Sequence, residues 1–168
     1  MYYELIVTQF SKMLGNLTGI FDKAVQHAEA KKFDVDVLVN ARLAPDQFNF
    51  IRQVQILCDT AKKGAAQLAG KEAPVHADEE KTLVELRARV DSVTKYLATF
   101  TPKDFAESGT RRISQPRWDG QYLTGEEFAM QHVVPNFYFH VTTAYAILRH
   151  NGVDVGKKDY LGKMPLKR

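Results

Sequence analysis

The run FAMQHVVPNFYFHVTTAYAIL, from Phe128 to Leu148, places 21 consecutive residues without Asp, Glu, Lys or Arg. That is about the length that crosses a bilayer as a helix. Yet Gln131, His132, Pro135, Asn136, His140, Thr142 and Thr143 interrupt it, and that many hydrogen-bonding side chains are expensive in lipid. An apolar stripe with an uncharged remainder fits the most buried helix of a soluble bundle better than a membrane span. Thr124-Gly125-Glu126-Glu127 just upstream has the form of a capping box. Asn151-Gly152 just downstream is a sound C-cap, with Arg149 and His150 suited to the last turn.

Outward from this helix, apolar spacing of three and four residues predicts three more. Ile6, Phe10, Met13, Leu17, Ile20, Ala24 and Ala28 mark a first helix of about seven turns. After a connector over about 31–44, the second helix is expected to open at Pro45 with Asp46 beside it. Its stripe is Phe48, Ile51, Val54, Leu57, Cys58, Ala61, Ala65 and Leu68, and it stops at Gly70. In the connector, Asp34-Val35-Asp36-Val37 alternates like a strand but is short and has no partner. Asp78 is expected to cap a third helix whose first turn holds Glu79 and Glu80, with the stripe Leu83, Leu86, Val90, Val93 and Leu97 ending before Pro102. The stretch from about 103 to 123 carries Gly109, Pro116 and Trp118-Asp119-Gly120, and reads as a long irregular crossing or a small hairpin. The expected fold is all-α, a four-helix bundle over residues 1–168 as a single domain, with a long irregular loop before the last helix. A loop of that length is unusual in a compact domain and is a candidate cover for a site.

Charge narrows the function classes. The net charge is +3 over 168 residues. Lys157, Lys158, Lys163, Lys167 and Arg168 against Asp154 and Asp159 put that whole excess in the tail, 153–168. The body is neutral, so composition does not favour nucleic acid as a partner. One cysteine, Cys58, excludes an internal disulfide and a Cys-based zinc site. No basic n-region followed by an apolar stretch opens the chain, so a cytoplasmic location is expected, and Asn16-Leu17-Thr18 reads as a chance sequon.

Common catalytic signatures are missing. Neither GxGxxG nor GxSxG occurs, and the paired Glu and ExxH motifs of di-iron bundles are absent. The segment from Gly64 to Gly70 and Lys71 only mimics a phosphate loop, with one residue too many, Glu72 in the magnesium-binding place, and a position at the end of a helix rather than its start. The residues that stand out are in the uncharged helix. Asn136 and His140, four apart, share a face, and His132 lies a turn back across Pro135. They form either a buried hydrogen-bond network that sets helix register or part of a pocket for a metal or small molecule. Asn is a weak transition-metal ligand, so the trio alone is a poor zinc or nickel site. Trp118 either stacks on a ligand or anchors the loop. Arg42, Arg52, Arg111, Arg112 and Arg117 are available to anions, His27, His76 and His150 read as surface or helix-end residues, and Lys62-Lys63 reads as a solvated basic pair.

Several stretches resemble one family. Pro135-Asn136-Phe137-Tyr138-Phe139-His140, then Thr143-Ala144-Tyr145 and the run from Ile147 to Gly152, are similar to an uncharacterised bacterial branch, a domain of unknown function, of the DinB/YfiT-like superfamily of metalloenzymes. Ala41 to Asp46, Arg52-Gln53-Val54-Gln55, Val155-Gly156-Lys157 and Asp159 to Gly162 resemble the same branch, so the similarity covers essentially the whole chain. The resemblance implies a four-helix bundle, often a homodimer. Better-known relatives hold a divalent metal, zinc or nickel, with one histidine from the second helix and two from an HxxxH pair on the last. Some are thiol-dependent transferases that use bacillithiol or mycothiol.

Carried over by position, those ligands fall on Gln53, Asn136 and His140. Only His140 is a histidine, so the resemblance implies a degenerate metal site. The ligand pocket is then expected at Gln53, His132, Asn136, His140 and Trp118. Two functions stay open: a small-molecule enzyme, such as a thiol-dependent transferase, with His140 as general base or sole strong metal ligand; and a non-catalytic binding or stress-associated bundle in which a hydrogen-bond network has replaced the metal.

Overall fold

The computed structural model describes residues 1–167. Arg168, the last residue of the basic tail, lies outside the described residues. The chain is mostly helical. A π-helical turn at Tyr3–Thr8 leads without a break into α1, Gln9–Lys31, and the short α2 spans Asp36–Val39. The longer α3 spans Phe50–Ala69 and α4 spans Leu83–Leu97. An irregular crossing with single 3-10 turns follows, pinned by a two-stranded antiparallel ribbon of β1, Arg112–Ile113, and β2, Leu123–Thr124. The last long helix is composite. It starts as α5, Gly125–Phe128, widens into a π turn at Ala129–Val133, and continues as α6, Val134–His150. The tail forms α7, Lys157–Leu161.

The four long helices surround one core. α1 packs on α4 and α6, and α3 packs on the same two. The core residues come from the predicted stripes: Phe10, Leu14, Leu17 and Phe21 on α1, Phe50, Val54, Leu57 and Leu68 on α3, Leu86, Val90 and Val93 on α4, and Phe137, Val141 and Ile147 on α6. Phe10 stacks on Phe137 across the α1–α6 seam. No helix among the described residues is long and apolar enough to cross a membrane.

Helix starts differ from the expectation in two places. α3 opens at Phe50, not Pro45, because the Asn49 side chain accepts from the Arg52 amide. The start at Asn49 also brings Phe50 fully into the core, whereas Phe48, Pro45 and Asp46 stay outside. α4 opens at Leu83 behind Thr82, which forms a reciprocal capping box with Glu85. Asp78 caps nothing there and instead pairs with Arg52 and Arg89. In the connector, the Asp34–Val37 alternation becomes the start of α2, with the Asp34 carboxylate accepting from the Asp36 amide. The expected capping box at Thr124 and Glu127 is present.

The tail does not hang free over its first half. Val153 and Val155 are buried, Lys23 of α1 pairs with Asp159 at 2.8 Å, and Asn16 donates to the Tyr160 carbonyl at 2.9 Å. Asn16, the sequon residue, is therefore engaged in docking α7.

Candidate functional site: a cleft between α3 and the last helix

α3 and α6 run antiparallel, since Gln53 meets His140, Thr60 meets Asn136, and Gly64 meets Val133. Gly64 brings the helices this close. A Cβ there would stand 2.5 Å from Val133 Cγ1, the end of a stiff branched side chain. Beside this contact the helices open into a cleft of ≈ 690 Å³. One wall is the α3 face carrying Arg52, Asp59, Thr60 and Lys63, and the other carries Phe128, His132, Asn136 and His140. Gln115, Pro116 and Arg117 of the crossing loop cover one end.

The π turn explains why four residues spaced by four can line one wall. In a regular helix each step of four drifts by about 40° around the axis. The wider turn at Ala129–Val133 underwinds the helix and offsets part of that drift. Pro135 follows directly. It has no N–H to give to the turn before it, so the widened backbone sits where an α-helical bond is already missing.

At the deep end a fixed chain of hydrogen bonds sets the chemistry of His140. The Phe48 carbonyl can only accept, so Gln53 must turn its Nε2 toward it, at 3.0 Å. Gln53 Oε1 then faces His140 Nδ1 at 2.6 Å, and Nδ1 must carry the proton. His140 Nε2 is left with a bare lone pair and no hydrogen-bond partner among the described residues. His140 is 7% exposed. Burial, with help from Arg52, pushes its imidazole down to about 4, so it is neutral at ordinary pH.

A second chain fixes Asn136. The Thr60 hydroxyl donates to the Ile56 carbonyl at 2.8 Å, so it must accept from Asn136 Nδ2, at 2.7 Å. Asn136 Oδ1 therefore remains a spare acceptor. His132 lies farther out, its ring against Phe128 and Trp118. Burial, and then Arg117, lowers its pKa. Trp118 reaches the site through its edge contacts with Phe128 and His132, and not as a lining residue. Gln53 likewise sits behind His140 as its clamp, outside the lining.

The donor set does not fit a divalent metal. Both ends of the Gln53 amide are occupied, Asn136 offers one carboxamide oxygen, and one imidazole nitrogen remains. No group of three His, Cys, Asp or Glu among the described residues is placed to hold a metal. Stable sites for zinc or nickel need more imidazole, thiolate or carboxylate than this.

On the far side of α3, two residues depart from the expectation. Lys62 is not solvated. It is 1% exposed, pairs with Asp59 at 2.8 Å, and meets His76 Nδ1 at 2.5 Å. His76 is accordingly no bystander. Sequence reading also missed Arg89, 2% exposed, which binds Asp59, Asp78 and Glu80. The signal was available: Arg89 falls three after Leu86 and Lys62 falls four after Cys58, so both cations lie on apolar stripes. Thr60, Lys63 and Gln67 in the cleft were missed because no partner for them is visible in one helix alone.

An all-α chain with a long crossing loop and a cleft between its second and last long helices is DinB-like in architecture. The sequence profile of the family described as "Domain of unknown function (DUF1993)" matches residues 2–161, and the chain belongs to that family. A crystal structure of a DinB family member protein from Shewanella denitrificans is 65% identical, with a TM-score of 0.97 over 99% of this chain and 94% of that one. No curated protein matches the chain.

Proposed function

We propose that this chain is a single-domain, DinB-type four-helix bundle that binds a small molecule in the α3–α6 cleft without a metal. In this reading the ancestral metal position holds a hydrogen-bond relay, from the Phe48 carbonyl through Gln53 to His140. The observation that carries it is the Gln53 clamp, which occupies both ends of the Gln53 carboxamide and leaves one imidazole nitrogen of His140 toward the cleft. An imidazole held near 4 is a durable hydrogen-bond acceptor at neutral pH and a weak general base there. That weighs toward binding and against the transferase reading.

The test combines metal analysis of tag-free protein with a fragment screen followed by NMR. No stoichiometric metal, no stabilisation by zinc or nickel, and fragment-induced shifts at His132 and His140 are the expected results. A stoichiometric metal that is lost in His140→Ala would overturn the reading, and so would a library that leaves both histidines unmoved. The homodimer that the resemblance implies and a cytoplasmic location belong to the same proposal. Light scattering on the purified chain and cell fractionation test them.

A further inference from the structure

The lining of the cleft is chemically two-sided. At its deep end the two groups with spare capacity, His140 Nε2 and Asn136 Oδ1, are both neutral acceptors. Neither has a hydrogen-bond partner among the described residues, and His140 is 7% exposed. Such groups take an O–H or N–H donor, and an apolar ligand would leave a buried lone pair unmet. A carboxylate or phosphate oxygen would face them lone pair to lone pair.

Nearer solvent the lining carries Arg52, Lys63 and Arg117 against one carboxylate, Asp59. Lys63 is held by Asp59 at 2.7 Å and Arg52 by Asp78 at 2.7 Å. Arg117 has no ion pair or hydrogen bond among the described residues. It is the cation free to take an anion, and the excess positive charge disfavours an amine ligand. Phe48, Ile56 and Phe128 add apolar surface to the lining, and the volume of ≈ 690 Å³ suits a small organic molecule.

We propose that the ligand is a hydroxylated organic anion, of the hydroxy-carboxylate or sugar-phosphate class, bound with a hydroxyl toward His140 Nε2 and Asn136 Oδ1 and its anionic group on Arg117. This rests on the cleft being a small-molecule site, and it adds the orientation and the class. Carboxylate and phosphate share the charge that Arg117 reads, so the probes must separate them.

Four probes do this, followed by calorimetry and by the His140 and His132 NMR signals. They are gluconate, glucose 6-phosphate, hexanoate, which lacks hydroxyls, and sorbitol, which lacks charge. Saturable binding of gluconate, glucose 6-phosphate or both is expected, with hexanoate and sorbitol about tenfold weaker or worse. The stronger of the first two names the anion. Arg117→Gln, an exposed substitution that leaves the fold intact, should weaken the anions about tenfold and remove most of their salt dependence. Gluconate affinity should stay flat from pH 7.5 down to 5.5, because the acceptor nitrogen does not protonate in that range.

If sorbitol or hexanoate binds as well as gluconate, or if Arg117→Gln changes nothing, the ligand class is wrong while the cleft still binds small molecules. If none of the four moves the His140 signal, the class is overturned outright, and the fragment screen alone then decides whether the cleft binds anything.

Discussion

α3 buries polar groups on two sides, and the two sides solve the problem differently. Toward the segment 71–81 the groups are ionic and closed in. Lys62 and Arg89 meet Asp59, Asp78, Glu80 and His76, and Gln55 donates to Glu80 at 2.9 Å. No side chain of that segment is buried, so it is held on α3 and α4 by polar contacts at residues 76, 78 and 80. Toward the cleft the buried groups are neutral, and one nitrogen of His140 is left open. A buried charge has to bring its partners with it, because an unpaired one costs several kcal/mol. A neutral imidazole facing a cleft can keep a lone pair in reserve for whatever enters. Among the described residues the ionic side leaves a single buried atom without a partner, Arg89 Nε, enclosed where nothing can reach it, whereas the open atom of the cleft side, His140 Nε2, faces a space that a ligand can enter.

The largest expected effect tests the ionic side. Arg89→Met removes the hub and leaves Asp59, Asp78 and Glu80 with less compensation, and should lower the urea-unfolding free energy by about 3 kcal/mol. A loss below that of His140→Ala would reverse the comparison.

Acid should separate the two sides next. The His140 pKa is about 4 folded and 6.5 in the unfolded reference, so between these values the unfolded chain binds the extra proton. Its contribution is therefore complete above about 6.5 and is lost as pH falls toward 4, a change of about 2–3 kcal/mol. His140→Gln should flatten the fall in stability between pH 7 and 4.5 by that amount, and equal slopes in the two proteins would refute the neutral, buried imidazole. His76 faces Lys62 and Arg89, with Asp59 and Glu80 opposing them, and burial and the two cations lower its pKa. Loosening of 71–81 as pH falls below the ordinary histidine range, read by amide exchange, is expected in His140→Gln as well.

Gly64→Ala comes third. Its Cβ meets Val133 and should cost about 1–2 kcal/mol while prising α3 from the π turn. A neutral outcome would mean that the seam yields without cost.

The smallest effect is the most diagnostic of the cleft. Gln53→Leu should cost about 1 kcal/mol and release the tautomer of His140. Nitrogen NMR of the imidazole should then change from protonated Nδ1 alone to a mixture. An unchanged tautomer would show that something other than Gln53 sets it.

How far the sequence reached is visible in single residues. The stripes from Phe10 to Leu148 were legible because helical period and burial are tied by geometry, and most core side chains follow them. The start of α3 was misplaced because Pro45-Asp46 and Asn49 both carry start signals, and only the burial of Phe50 chooses between them. Asp78 looked like a cap for the same reason, until Arg89 and Arg52 claimed its carboxylate. Gln53, Asn136 and His140 were marked by a resemblance and by their place in an uncharged helix, but their bonding was not readable. Gln53 binds His140 while Asn136 binds Thr60, pairings across 87 and 76 residues of chain.

By itself, then, the sequence determined an all-α chain, its apolar faces, the fit of the uncharged run to a bundle helix rather than a membrane span, and the one histidine worth following. Those properties are local or periodic, and they repeat every few residues. The tertiary structure alone decided that Lys62 and Arg89 are buried, that the π turn aligns Phe128, His132, Asn136 and His140, and that His140 keeps Nε2 free. Each of these depends on which atom of one helix meets which atom of another. No pattern within a single helix carries that information.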